Sequence, residues 1–139
     1  MDKKEMYKVI DALFADQEKY GMEYAAYKYL DHFCVLKCCE FLDITGIDEI
    51  MAQIKKFVRV YKRPFAVNEI VTTAKDVQSD NSMLVEYAKY FINKDTGDTY
   101  RHNYMTVFEF NEAGKISKVS AAFDSTPFRA NEKVLPGAL

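Results

Sequence analysis

The sequence is short of several things. Its 139 residues include no tryptophan, three prolines, five glycines and three cysteines. Neither charge dominates: 19 Lys and Arg face 21 Asp and Glu, for a net charge of -2. Without a basic field, a general nucleic-acid binder is not expected. No apolar run approaches the ~20 residues that a membrane span needs. The opening Met1-Asp2-Lys3-Lys4-Glu5-Met6 is charged, with no apolar stretch behind it, which argues against a secretory signal. The expectation is a soluble, cytoplasmic protein that uses neither membrane nor nucleic acid. Cys34, Cys38 and Cys39 form an odd, clustered set, a poor disulfide framework. With His32 and His102 as the only histidines, a metal site would lack ligands, and no metal or cofactor is expected. The three cysteines are expected to serve as small buried hydrophobes.

What is present is apolar and aromatic. Hydrophobic residues make up 49% of the chain, with ten Tyr and ten Phe, enough to bury a core in one domain. The first half repeats with helical period. Met6, Val9, Ile10, Leu13 and Phe14 form one stripe, and Asp2 with Glu5 three residues on has the pattern of a capping pair. Met22, Ala25, Ala26, Tyr29, Leu30 and Phe33 form a second stripe beyond Gly21, which predicts helices over 3–20 and 22–32. A strand is expected within Phe33–Phe41. A third helix follows Thr45-Gly46, with Ile47, Ile50, Met51, Ile54, Phe57, Val58 and Tyr61 on one face and Asp48 and Glu49 in its first turn. The basic run Lys55, Lys56, Arg59, Lys62 and Arg63 has the spacing of a solvated helix face.

The period changes after Arg63-Pro64. Four strands are predicted over 65–77, 82–93, 99–110 and 115–124, divided by polar or glycine-containing turns. Helices followed by a long antiparallel meander make an α+β domain over 1–125, with a surface tail over 126–139. In the segment 99–110, alternation puts Tyr100, His102, Tyr104, Thr106, Phe108 and Phe110 on one face. Arg101, Asn103, Met105, Val107 and Glu109 share the other, semi-polar face. The aromatic face should meet the helices. Parity in the next strand turns Val119, Ala121 and Phe123 inward.

Several local patterns carry a resemblance. The element order α-α-β-α-β-β-β-β, the Gly21-Met22-Glu23-Tyr24-Ala25-Ala26 start of the second helix, Thr45-Gly46-Ile47-Asp48-Glu49-Ile50, the turn Phe108-Glu109-Phe110-Asn111-Glu112-Ala113-Gly114-Lys115-Ile116 and the ending Ala122-Phe123-Asp124 together resemble the nuclear transport factor 2-like superfamily, which includes SnoaL-like and ketosteroid-isomerase-like proteins. The resemblance covers roughly 3–125. It implies three helices packed on a curved, mostly antiparallel sheet, forming a cone-shaped half-barrel with a pocket at its wide end. It also implies a homodimer through the outer sheet face. It does not choose among the isomerases, dehydratases, hydrolases, cyclases and binding modules that the fold hosts.

The resemblance also implies where catalytic groups would stand. Thr106 occupies the place of the isomerases' carboxylic acid, and Cys34-Val35-Leu36-Lys37 offers no carboxylate base. Asn103 and Ala121 stand where the epoxide hydrolases hold aspartates. His102, inward and flanked by Tyr100 and Tyr104, is the best acid–base candidate, because its ordinary pKa lies near neutrality. His32, read at the end of the second helix, is a candidate second pocket histidine. Asp124 is a catalytic candidate or a strand-end carboxylate. Glu86 faces inward opposite Thr106 in one register; one residue of slip puts Tyr87 there instead. Facing inward, it would be a buried carboxylate with a raised pKa, a further catalytic candidate. The pocket is then lined by Tyr100, Tyr104, Thr106, Phe108, Val119, Ala121 and Phe123. Three functional readings follow: a domain that binds an apolar or aromatic small molecule, a cofactor-independent isomerase or dehydratase, and a protein-interaction module.

Overall fold

The structure is a computed structural model that describes residues 1–39, 42–60, 65–93, 97 and 99–123. Helix α1 spans Lys3–Tyr20. Asp2 caps it: its carboxylate accepts from the Glu5 amide at 2.8 Å, while the Glu5 carboxylate accepts from the Asp2 amide at 3.1 Å. This reciprocal pair satisfies two donors that a helix start otherwise leaves open. Gly21 separates α1 from α2 (Met22–Tyr29) with φ at +93°, a left-handed backbone that glycine adopts without strain. Met6, Ile10, Leu13 and Phe14 of α1 and Met22, Ala25 and Ala26 of α2 are all buried, as their stripes predict.

The second helix is shorter than its sequence pattern. It stops at Tyr29, and Leu30–Cys38 is strand β1. Pairing decides this: β1 finds backbone partners on both sides, in β2 (Leu42–Thr45) and in β6 (Ile116–Phe123), which outweigh a weak helical stripe. The Asp31 carboxylate helps set the change of direction, accepting from the Phe33 amide and from the Asn111 side chain. Strand β2 has four residues, too few to show a period in the sequence.

Helix α3 (Ile47–Val60) buries Ile47, Ile50, Met51 and Ile54 and leaves Lys55 and Lys56 exposed. Strands β3 (Phe65–Ser79), β4 (Ser82–Asn93), β5 (Thr99–Phe110) and β6 complete one six-stranded sheet. The order is β2-β1-β6-β5-β4-β3, antiparallel throughout except for β1 beside β6. The bounds of β4 and β5 agree with the sequence reading; β3 runs two residues further, and β6 starts one residue later, with residue 124 outside the described residues. The predicted tail over 126–139 lies outside the described residues.

All three helices pack on one face of the sheet, giving the expected α+β architecture. Helix α1 runs opposite to β3. Asp11 near its middle pairs with Lys75, and the Glu18 carboxylate near its end accepts from the Ile70 amide at 2.6 Å. Since Ile70 is the cross-strand partner of Lys89, the last turn of α1 lies level with Lys89. No helix among the described residues is long and apolar enough to cross a membrane.

Candidate functional site

The register of β4 on β5 decides what the inner face carries. Val85 pairs with Thr106, Glu86 with Met105, Tyr87 with Tyr104 and Lys89 with His102. Alternation then turns Met83, Val85, Tyr87, Lys89 and Phe91 toward the helices, and all five are buried. Val85, rather than Glu86 or Tyr87, thus stands opposite Thr106; Tyr87 faces inward opposite Tyr104, Glu86 faces outward, and the condition on which Glu86 stood as a catalytic candidate is not met. Glu86 is half-buried on the outer face. There it lines a shallow depression of about 450 Å³ with Thr73, Arg101, Asn103, Met105 and Ala122.

The inner face of β5 and β6 agrees with the sequence reading. His102, Thr106, Phe108 and Val119 have no exposed surface; Tyr104 and Ala121 are buried, and Phe123 is partly so. Tyr100 lies on β5, but its side chain is outside the described residues, as is Asp124. His32 does not join His102. It sits near the start of β1, where Leu30 pairs with Ile116 and Ile116 in turn with Phe110. Phe110 is eight residues along β5 from His102, roughly 27 Å at ~3.4 Å per residue. The His32 ring instead stands edge-on against Phe33, at 5.0 Å between centroids.

The inner residues form a continuous aromatic surface. Phe14 of α1 sits 4.7 Å from Tyr87 and 6.3 Å from Phe108, centroid to centroid. Tyr87 stacks on Tyr104 at 5.2 Å with the planes 6° apart. Beyond Tyr104, the His102 ring lies 6.3 Å from Tyr104, 6.0 Å from Phe123 and 6.2 Å from Phe91. The Tyr87 hydroxyl and the Thr106 hydroxyl share a buried hydrogen bond of 2.8 Å, in which either can donate. Burial drives the Tyr87 phenol well above its usual range, so it stays neutral. The Thr106 hydroxyl is thus already engaged with Tyr87.

Lys89 is the residue that the sequence reading passed over. It is fully buried, and its ammonium nitrogen lies 5.3 Å from the centroid of the Tyr104 ring. Its Nζ has no hydrogen-bond partner among the described residues. Desolvation lowers its pKa to about 7, opposed by Cys38 on β1. The signal was available: in Met83, Val85, Tyr87, Lys89, Phe91 a single lysine interrupts an otherwise apolar face. Gln17, in the last turn of α1, is also buried, with neither amide atom partnered among the described residues. Gln17, Lys89, His102 and Thr106 are the buried polar side chains described, and no Asp or Glu is among them.

The cysteines divide. Cys34 and Cys38 are buried, with burial pushing both thiols up to about 12. Cys39 is exposed, contrary to expectation, because it turns the chain out of β1 with φ at +50°. Among the described residues, no group of His, Cys, Asp and Glu could hold a metal ion.

No protein-family model and no curated protein matches the chain. Solved structures do. A candidate isomerase from Bacillus subtilis superposes with a TM-score of 0.72 at 16% identity, covering 93% of this chain and 96% of that one. A candidate SnoaL-like polyketide cyclase from Jannaschia sp. CCS1 gives 0.72 at 11% identity, covering 98% and 99%. An epoxide hydrolase of the LEH-like type from M. tuberculosis gives 0.69 at 15% identity, covering 91% and 88%. The three share one architecture and differ in what they are described as doing, so the likeness establishes the nuclear transport factor 2-like fold.

Proposed function

We propose that the protein binds a small apolar or aromatic molecule at the inner face of β4, β5 and β6, against Tyr104, Phe123 and the Lys89–His102 pair. One observation carries this reading. Two ionisable side chains lie fully buried side by side among aromatic rings, and the amine of one has no partner among the described residues. Burying an ionisable group without a partner costs several kcal/mol, which a plain core would avoid by using Leu or Met. A bound molecule with a polar end would offset that cost, while its body meets the aromatic surface.

The test is a fluorescence titration with N-phenyl-1-naphthylamine, an uncharged aromatic probe. Saturable enhancement that is lost in Ala121→Leu, which adds bulk to the inner face of β6, is the expected result. A titration with no saturation would remove the reading.

A second reading is acid–base chemistry on the bound molecule, an isomerisation or dehydration with His102 as the proton carrier. Its support is the burial of His102 beside Lys89 and Tyr104. For the outer face we propose a homodimer contact, supported by exposed Met105 and Val71 at 47% and 40%. Sedimentation should then show a dimer that Met105→Arg dissociates; a monomer in the unaltered protein would exclude it.

A further inference from the structure

We propose that Lys89 is a nucleophilic lysine that captures an aldehyde or ketone as an imine, so that the molecule bound at the inner face is a carbonyl compound with an apolar or aromatic body. This rests on the binding reading above and assigns its ligand a reactive group.

The geometry gives the reason. The Lys89 stem runs from the centre of β4 into the buried layer, and its amine ends over the Tyr104 ring without a hydrogen bond among the described residues. A lysine held by a carboxylate would be protonated and blocked. Among the described residues, the groups that face it are Tyr87 on its own strand, His102 and Tyr104 on β5 and the Cys38 thiol on β1. Phe123 on β6 adds only a ring, and α1 brings the uncharged Gln17 to the same level. None of these is an anion at neutral pH by its ordinary pKa, and burial pushes the Tyr87 and Cys38 protons further from loss. Among the described residues the cage is apolar and holds no counter-ion, the setting in which a lysine amine stays neutral and nucleophilic.

The step balances without a further reactant. The neutral Nζ lone pair adds to the carbonyl carbon, and the displaced π pair moves to oxygen, which takes one of the two amine protons. The second amine proton passes to the same oxygen as the carbon–oxygen bond breaks. Oxygen departs as water carrying both, and the nitrogen lone pair closes the C=N bond. His102, the cross-strand partner of Lys89, is the group placed to move these protons. The Tyr104 face would stabilise the iminium form as it does an ammonium.

The experiment uses the full chain, benzaldehyde as the carbonyl probe and cyanoborohydride to fix any imine as an amine. Intact mass should show one adduct, heavier by benzaldehyde less one oxygen, and peptide mapping should place it on Lys89. With its pKa at about 7, Lys89 holds a neutral fraction at neutral pH on the order of a thousandfold above that of an ordinary lysine. Labelling should therefore reach half its maximal rate near pH 7, whereas surface lysines respond only in alkali. Lys89→Met should lose the adduct. If that variant does not fold, the mapped site and the pH profile of the unaltered protein decide alone. Saturable naphthylamine binding with adducts spread over surface lysines and none on Lys89 would overturn this inference and leave the binding reading standing. Neither binding nor a Lys89 adduct would overturn both.

Discussion

The two faces of the β4–β5 pair share every backbone hydrogen bond and differ only in which residues point each way. Toward the helices run Tyr87, Lys89, Phe91, His102, Tyr104, Thr106 and Phe108; toward the opposite side run Glu86, Arg101, Asn103, Met105 and Glu109. On the outer face charge is ordinary and inexpensive. Glu109 lies 3.8 Å from Lys118 with both partly in water, and Arg101 reaches Asn103 at 3.1 Å. On the inner face the same kinds of side chain lose their hydration, and each then demands an explanation. The difference shows that composition alone does not locate the unusual chemistry of this chain. Its unusual residue is a lysine, one of its commoner charged types, placed where alternation buries it.

The largest break in this comparison comes from removing inner bulk. Phe108 has no exposed surface and packs its ring against Phe14. Phe108→Ala should cost about 3–5 kcal/mol, read from urea unfolding. A loss below about 1 kcal/mol would mean that the inner face is not the core.

A second effect is a pH dependence with a definite sign. Lys89 has a folded pKa near 7 against an ordinary 10.5. Between those values the unfolded chain holds a proton that the folded chain does not. Stability from this group therefore rises with pH across about 7 to 10.5, by up to ~1.4 kcal/mol per unit, and its penalty is complete below 7. Comparing urea unfolding at pH 7 and pH 9, the unaltered protein should gain roughly 2 kcal/mol relative to Lys89→Met. At pH 7 the methionine variant should be the more stable of the two. Parallel pH curves for the two proteins would place the Lys89 amine in water.

A third effect concerns the buried hydrogen bond between Tyr87 and Thr106. Tyr87→Phe strands the Thr106 hydroxyl, and Thr106→Val strands the phenol; each should cost about 1–2 kcal/mol. The double variant should cost less than the sum, because neither polar group is then left alone. Strict additivity would mean that the two hydroxyls are not partners.

Much of this was legible in the sequence. The capping pair at Asp2 and Glu5, the stripes of α1 and α3 and the bounds of β4 and β5 rest on strong local patterns. The inward set His102, Tyr104, Thr106, Phe108, Val119, Ala121 and Phe123 follows from strict alternation. What failed was non-local. Leu30–Cys38 carries a helical stripe at its start yet becomes a strand, because partners from β2 and from the distant β6 claim its backbone. The choice between Glu86 and Tyr87 hung on one residue of register. Sequence parity within β4 could have settled it: turning Glu86 inward also turns in Leu84, Ala88 and Tyr90, whereas turning Tyr87 inward gathers Met83, Val85 and Phe91. The second set is the more apolar, and it brings Lys89 with it. Lys89 went unread because a lysine among apolar residues is ordinarily taken to lie at an edge, its head in water.

The smallest effect sharpens the same comparison from the other side. Glu86 pairs with Met105, half-buried on the outer face, and its backbone carbonyl accepts from the Thr73 hydroxyl at 3.2 Å. That contact is made by the main chain, so changing the side chain leaves it in place. Glu86→Gln should therefore shift stability by less than about 0.5 kcal/mol and leave probe binding at the inner face unchanged. The substitution keeps the shape and removes only the charge. A loss of probe binding, or a stability change of several kcal/mol, would put the carboxylate inside after all. It would move β4 by one residue on β5 and carry Lys89 out of the buried layer with it.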